Sequence, residues 1–173
     1  MELPAAARLM IVGRERNAAA YVRQAETLGV ADRVTFAGAQ ADPRPYFGAA
    51  DAFVLPTLYD PCPNAALEAM ACGLPVITST KSGVAELVRE HDAGLVCPSR
   101  DTAGLAAHMH LLLDPAQRER FGARARAAVL PLTPAAMTLQ LVLLYRDLLA
   151  GIAAKREARR KRGSAPASTA SGG

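Results

Sequence analysis

A chain of 173 residues, 51% of them hydrophobic, can bury one good core and is too short for two ordinary domains, so one domain with a tail is expected. The net charge of +4 is local: Lys155 to Arg162 holds six basic residues against Glu157, which leaves −1 elsewhere and gives the globular part no nucleic-acid signature. Cys62, Cys72 and Cys97 form no CxxC pair, against a disulfide framework or a structural zinc site, and the absence of a signal-peptide pattern or a charge-free apolar run of membrane length points to the cytosol.

Leu9-Met-Ile-Val-Gly13 opens the chain's order as a short apolar run of the kind buried on both faces of a parallel sheet. Asn17 to Leu28 repeats Ala20, Tyr21, Ala25 and Leu28 at helical spacing and stops at Gly29. The unit then recurs. Arg33 to Gly38 predicts a strand, Pro45 to Ala50 a short helix, Ala52 to Pro56 a strand, Asn64 to Cys72 a helix closed by Gly73, Pro75 to Ser79 a strand, Val84 to Glu90 a helix and Gly94 to Cys97 the last strand. Helices follow at Thr102 to Leu113, Pro115 to about Val129 and Pro134 to about Arg162.

Strands alternating with helices imply right-handed crossovers and an α/β, doubly wound, Rossmann-like parallel sheet with C-terminal helices, whose ligands bind at the carboxyl ends of the strands. Residues 1–150 are expected to form the domain, and 151–173 a basic helix end with a Ser/Ala/Gly tail that should be disordered. On the last helix Met137, Leu141, Leu144, Tyr145 and Leu148, with Leu149 beside them, form an apolar stripe that must cover something, which predicts a partner, an oligomer or poor solubility.

The informative stretch is Leu58-Tyr-Asp60-Pro-Cys-Pro-Asn64-Ala-Ala-Leu-Glu68-Ala-Met-Ala-Cys-Gly73-Leu-Pro75-Val. It leaves a strand, crosses a proline-rich loop and enters a helix with Asn64 as the expected cap. Asp60 and Glu68 sit eight residues apart, one in the loop and one about a turn into the helix. Between them lie free amides of the first turn at the positive end of the helix dipole, which suit a diphosphate. A carboxylate for sugar hydroxyls, amides for phosphates and a carboxylate for a ribose diol fit one nucleotide sugar.

These residues resemble the family 4 glycosyltransferases of GT-B fold, in their Glu-x7-Glu motif and trailing Ala-Met-Ala-Cys-Gly-x-Pro-Val, with Asp60 in place of the first Glu. The Tyr-Asp-Pro-Cys-Pro-Asn form is most similar to the lipopolysaccharide-core glucosyl- or heptosyltransferase branch. The likeness runs from Leu9 to about Leu149. It implies the C-terminal, donor-binding half of a retaining transferase that moves a hexose from a nucleoside diphosphate sugar to a lipopolysaccharide-type or other glycan.

By that resemblance Asp60 is the catalytic-site acid on the donor sugar. Gly13, Gly38, Asn64, Ala65, Leu67 and Glu68 complete the donor contacts, with Glu68 on the ribose, and neither metal nor cofactor is needed beyond the sugar nucleotide itself. Ser82-Gly83-Val-Ala-Glu86 resembles the family's Gly-Gly-x-x-Glu segment, with Ser for the first Gly. Family members also carry an Arg and a Lys upstream of the strand at Leu9, so those residues and the N-terminal acceptor domain are expected on a missing domain or partner chain, and little turnover is expected from these residues alone.

The blander readings are definite too. Asp60 before a proline can merely open a turn, Gly13 and Gly38 can merely end strands, and Glu86 can be an ordinary helix residue. Cys62 lacks a base to make it a nucleophile, and His91, His108 and His110 have no metal-ligand grouping. The basic run Lys155 to Arg162 is either a solvated helix end or a peripheral contact with anionic lipids on the inner face of the cytoplasmic membrane. The rivals in function are a non-catalytic, truncated nucleotide-binding or membrane-associated module and, fitting the spacing less well, a sugar-nucleotide epimerase of similar fold.

Overall fold

Each apolar run and each helical stretch becomes an element of the computed structural model, which describes residues 7–15 and 17–163. In chain order they are β1 Leu9–Val12, α1 Ala18–Thr27, a 3₁₀ turn Ala31–Arg33, β2 Val34–Gly38, α2 Arg44–Gly48, β3 Phe53–Leu55, α3 Asn64–Ala71, β4 Val76–Ser79, α4 Ala85–Glu90, β5 Gly94–Cys97, α5 Thr102–Leu111, α6 Pro115–Val129 and α7 Pro134–Gly163. The tail from residue 164 onward, expected to be disordered, lies outside the described residues.

All strand pairs are parallel, as strands joined by helical crossovers are. β1, expected to be buried on both faces, nevertheless keeps Leu9, Met10 and Val12 exposed, because it has β2 beside it and none of the buried clusters over it among the described residues. The strands do not form one sheet. β1 pairs with β2, β4 lies between β3 and β5, and no pairing joins the two groups among the described residues. The α/β class expected from the sequence is therefore present, with its strands divided into a pair and a trio.

The trio is where the core sits. All four residues of β4 are buried, although Thr78 and Ser79 are polar and a buried hydroxyl is costly unless paired. Both reach across to the β3 side: Thr78 Oγ1 donates to Leu55 O at 3.0 Å and Ser79 Oγ to Thr57 O at 2.6 Å. On one side Ala66 and Met70 of α3, Val88 of α4 and Ala125, Ala128 and Val129 of α6 close over Val76. Ile77 packs with Leu112 and Phe121 in a second cluster, and Phe47 of α2 meets Phe53 edge-on with Ala69 and Leu74 in a third.

Helix ends are set locally. Gly73, at φ +82, turns α3 back so that its amide bonds to Met70 O and that of Leu74 to Ala69 O, the left-handed ending glycine favours. Arg126 of α6 adds a side-chain bond to Ala71 O at 2.8 Å. At the entry to α2 the Arg44 guanidinium, hydrogen-bonded to Asp42, holds that carboxyl below its ordinary range.

Contacts divide the chain between Leu130 and Pro131, earlier than the boundary expected at 150. The second unit is essentially α7, opened by Thr133, whose Oγ1 accepts the Ala136 amide. Its apolar residues do not keep to the expected stripe: Leu139, Val142 and Leu143 lie between the predicted positions and spread the apolar surface well beyond one face. Pro134–Arg156 is long and apolar enough to cross a membrane by length and composition, although Arg146 and Asp147 lie in its middle. Of the basic run, the side chains of residues 157–162 lie outside the described residues, while those of Lys155 and Arg156 are exposed.

The contact of α3 with α6 is close enough to test. A Cβ at Gly122 collides with the carbonyl of Gly73, whereas one at Gly151 in α7 meets nothing within 4 Å. Gly122→Ala is expected to destabilise the chain by about 1–3 kcal/mol. Gly151→Ala is expected to be neutral or to stabilise α7 by up to about 1 kcal/mol. Urea denaturation of the two variants, compared with the parent chain, reads the opposite signs.

Candidate functional site

The carboxyl ends of β3 and β4 lie side by side because the strands pair in register from Phe53↔Val76 to Leu55↔Thr78. The loops that follow them are stitched by backbone. Asp60 and Ser82 form a parallel bridge, in which the Asp60 amide donates to Lys81 O at 3.2 Å and the Gly83 amide donates to Asp60 O at 2.8 Å. A Cβ at Gly83 collides with the carbonyl of Pro61. Glycine at 83 is therefore what lets the second loop approach the first, and the two segments singled out separately in the sequence lie side by side.

Asp60 is half-buried in this bridge. Its Oδ1 accepts the Cys62 amide at 3.2 Å, an Asx turn of the kind Asp-Pro segments favour. Its Oδ2 accepts no hydrogen bond from the described residues. The turn-forming role and an available carboxylate oxygen thus coexist in one residue.

The start of α3 corrects one expectation. Pro63, not Asn64, is the residue that caps the helix: its backbone is extended at φ −73 and ψ 96, and no side chain caps the helix. The reason is that the Pro63 carbonyl already takes the amides of Ala66 at 3.0 Å and Leu67 at 3.4 Å, which makes Asn64 the first helical residue, as its pre-set φ allows a proline to do just before a helix. The amides of Asn64 and Ala65 find no acceptor among the described residues, and both residues are exposed. Two open donors at the positive end of a helix are a geometry that suits an anion.

The other expected residues fall as follows. Glu68 is exposed one turn into α3, with no side-chain partner among the described residues. Leu67 packs its side chain against the core and gives its amide to Pro63, so it offers neither a donor nor a polar group. Gly13 and Gly38 end β1 and β2 at φ +144 and +70, bonded to each other through the Gly13 amide and Gly38 O at 2.9 Å. Glu86 is exposed in the first turn of α4.

Ser82, noted in the sequence only as a replacement for glycine, is where the structure adds something. It is 6% exposed, and its Oγ is buried without a hydrogen-bond partner, an uncommon state for a hydroxyl. The one signal available was its departure from the Gly-Gly pattern. Among the described residues no three His, Cys, Asp or Glu side chains are grouped to hold a metal. Cys62 and Cys72 are exposed and Cys97 is buried; burial, and then the nearby Asp101 carboxylate, pushes the Cys97 thiol up, away from the reactive thiolate.

Residues 2–115 match the protein family described as "Glycosyl transferases group 1". Over 101 residues the chain is 37% identical to the lipopolysaccharide core biosynthesis glycosyltransferase LpsE of Rhizobium meliloti, covering 58% of this chain and 30% of that one. Among solved structures, the sucrose-phosphate synthase of Thermosynechococcus elongatus superposes with a TM-score of 0.71 at 35% identity, over 83% of this chain and 39% of that one. Anabaena HepE in complex with UDP superposes at 0.75 and 24% identity, over 83% and 42%, a likeness of fold. The chain thus spans less than half the length of each of these three proteins.

The stitched loops carry a sharp expectation. Gly83→Ala must push the two loops apart and is expected to cost about 1–3 kcal/mol. Ser82→Ala removes a hydroxyl that pairs with nothing and is expected to cost less than about 0.5 kcal/mol. Thermal denaturation separates them, since about 1 kcal/mol moves the midpoint of a chain this size by roughly 2–4 °C.

Proposed function

Because the chain belongs to the group 1 glycosyl transferases, we propose that residues 1–150 are the donor-binding half of a retaining glycosyltransferase that moves a hexose from a nucleoside diphosphate sugar to a lipopolysaccharide-type or other glycan. The observation that carries the reading is the succession Asp60, Asn64, Ala65, Glu68: a half-buried carboxylate with one oxygen unused, two open amides at a helix start, and a partner-free carboxylate one turn on. In this reading Asp60 orients the donor sugar and the Asn64 and Ala65 amides hold the diphosphate. Glu68 grips the ribose hydroxyls, and the backbone around Gly13 and Gly38 shapes the base pocket.

Transfer needs more than a donor site. Attack must be oriented and water excluded, which a cleft closed by two halves achieves. The acceptor site therefore belongs to a further domain or partner chain, and these residues alone are expected to bind donor with little turnover. A non-catalytic nucleotide-binding module makes the same binding prediction, and the two part on whether transfer appears when an acceptor-binding half is supplied.

Calorimetric titration with uridine, guanosine and adenosine diphosphate sugars tests the site. One of them is expected to bind at or below millimolar concentration, and Glu68→Ala is expected to weaken it about 10- to 100-fold, the loss of hydrogen bonds to a charged group of roughly 1.5–3 kcal/mol. No binding by any of them, or binding indifferent to Glu68→Ala, overturns the assignment.

A membrane contact is proposed for the C-terminal unit on separate grounds. α7 is apolar from Pro134 to Arg156 and runs into the basic stretch Lys155 to Arg162, a combination suited to the anionic inner face of the cytoplasmic membrane. Removing residues 155–173 is expected to release the chain from phosphatidylserine-containing vesicles in sedimentation, since each basic residue near such a surface contributes about 1 kcal/mol. Undiminished binding after the truncation rules out the basic run as the contact.

A further inference from the structure

Two polar groups that complement each other stand on the stitched loops without meeting. Ser82 is 6% exposed, and its Oγ is buried with no hydrogen-bond partner among the described residues. A hydroxyl cut off from water and left unpaired is uncommon and costly. Asp60 Oδ1 accepts the Cys62 amide at 3.2 Å, while its Oδ2 takes no hydrogen bond from the described residues. One residue lacks an acceptor and the other has one to spare.

The backbone sets the two side by side. Asp60 and Ser82 are the two members of the parallel bridge. Bridged residues stand in phase on the pleat, so their side chains leave on one face, from backbones about 4.8 Å apart. Neither residue is free to drift. The Asp60 amide donates to Lys81 O and its carbonyl accepts the Gly83 amide; the Ser82 amide donates to Ser79 O at 3.1 Å and its carbonyl accepts the Ala85 amide at 3.0 Å. What is left to Ser82 is rotation about χ1, whose staggered wells re-aim the hydroxyl.

Solvent accounts for the open pair. Asp60 is half-buried, so water reaches its carboxylate and serves Oδ2 in the free chain. A sugar seated on that oxygen displaces the water. One sugar hydroxyl occupies one of the oxygen's two lone pairs, and the second then needs a donor from the protein, because a carboxylate oxygen stripped of water is costly unless it is hydrogen-bonded. Ser82 is the donor bridged to Asp60, and the exposed Lys81 on the same turn is its rival.

We propose that Ser82 is a positioning residue for Asp60: when a nucleotide sugar displaces water from the loops, the Ser82 hydroxyl turns and donates to Asp60 Oδ2, which fixes the carboxylate against the sugar. A glycine at this position has no hydroxyl to give. The proposal rests on the donor-half reading, since the sugar is what takes the water away.

The test is titration calorimetry of the full chain with uridine, guanosine and adenosine diphosphate glucose, beside NMR of the Asp60 carboxyl carbon. The nucleotide sugar that binds the parent is expected to bind Ser82→Ala about tenfold more weakly, although that variant melts within about 2 °C of the parent. Ser82→Gly, which removes the whole side chain, is expected to lose the same factor. In the free chain Ser82→Ala is expected to leave the Asp60 resonance in place, and at saturating nucleotide sugar to move it. Undiminished affinity in both variants, weaker binding with the bound-state resonance unmoved, a resonance moved equally without nucleotide sugar, or a loss seen in Lys81→Met in place of the Ser82 variants, overturns the inference. The two readings part on the parent chain: if none of the three compounds binds it, the donor reading falls and this inference with it, whereas binding that is indifferent to Ser82 sinks this inference alone.

Discussion

The burial of β4 between β3 and β5 is the constraint on which the rest of unit 1 depends. Four residues, two of them hydroxyl-bearing, are withdrawn from water, and this is tolerable because Thr78 and Ser79 spend their hydroxyls on carbonyls of the β3 side. Those two bonds add a side-chain rung beyond the backbone ladder, at the end of the strand where the ladder stops. They hold the chain leaving β3 at Thr57 next to the chain leaving β4 at Ser79. The proximity of the two loops, and with it the Asp60–Ser82 bridge, follows from that rung, so a buried polar pair in the core is what positions the exposed chemistry.

The same dependence explains why Asp60 can be both turn former and candidate ligand. Its backbone is committed on both sides, the amide to Lys81 and the carbonyl to Gly83, and one carboxylate oxygen is committed to Cys62. What remains is a single oxygen on a residue with little freedom to move, and preorganisation of that kind is what a group that must orient a sugar requires. The α3 amides are fixed in a comparable way by Pro63, which ends the loop with a set φ and brings no amide of its own.

Much of this was legible in the chain. Short apolar runs mark the strands, but the two closed by glycine, β1 and β2, are not buried on both faces as their composition predicts, whereas Gly29 and Gly73 stop their helices with the left-handed backbone that the pattern announces. Asp60 and Glu68 were visible as a spaced pair. Pairing was not visible, since periodicity says that a strand is buried and is silent about which strand lies beside it. The helix cap was misassigned to Asn64 because cap preference weighs side chains, whereas here a proline carbonyl does the capping. The burial of Ser82 was not legible because it is decided by the loop across from it, twenty-two residues earlier at Asp60, and that proximity has no local signature. The stripe on α7 was drawn too narrow: Leu139, Val142 and Leu143 lie off it in the same sequence, and counting only residues that fit the period hid them.

The two ends of unit 1 differ in how well they are held. Around β4 the apolar side chains of β3, α3, α4 and α6 meet in a shared cluster; around β1 the strand of similar composition keeps a large part of its surface in contact with water. Composition cannot account for the contrast, because Leu9-Met-Ile-Val is the more hydrophobic of the two strands. Number of neighbours can. A strand flanked on both sides and covered by helices loses its water, while an edge strand keeps it whatever its sequence. Of the residues proposed for the donor site, Asp60, Asn64, Ala65 and Glu68 all stand on the well-held part, whereas Gly13 and Gly38 stand on the other. Phosphate and sugar contacts in the proposed site are therefore built on the packed core, and its proposed base pocket on strands that keep more of their surface in water.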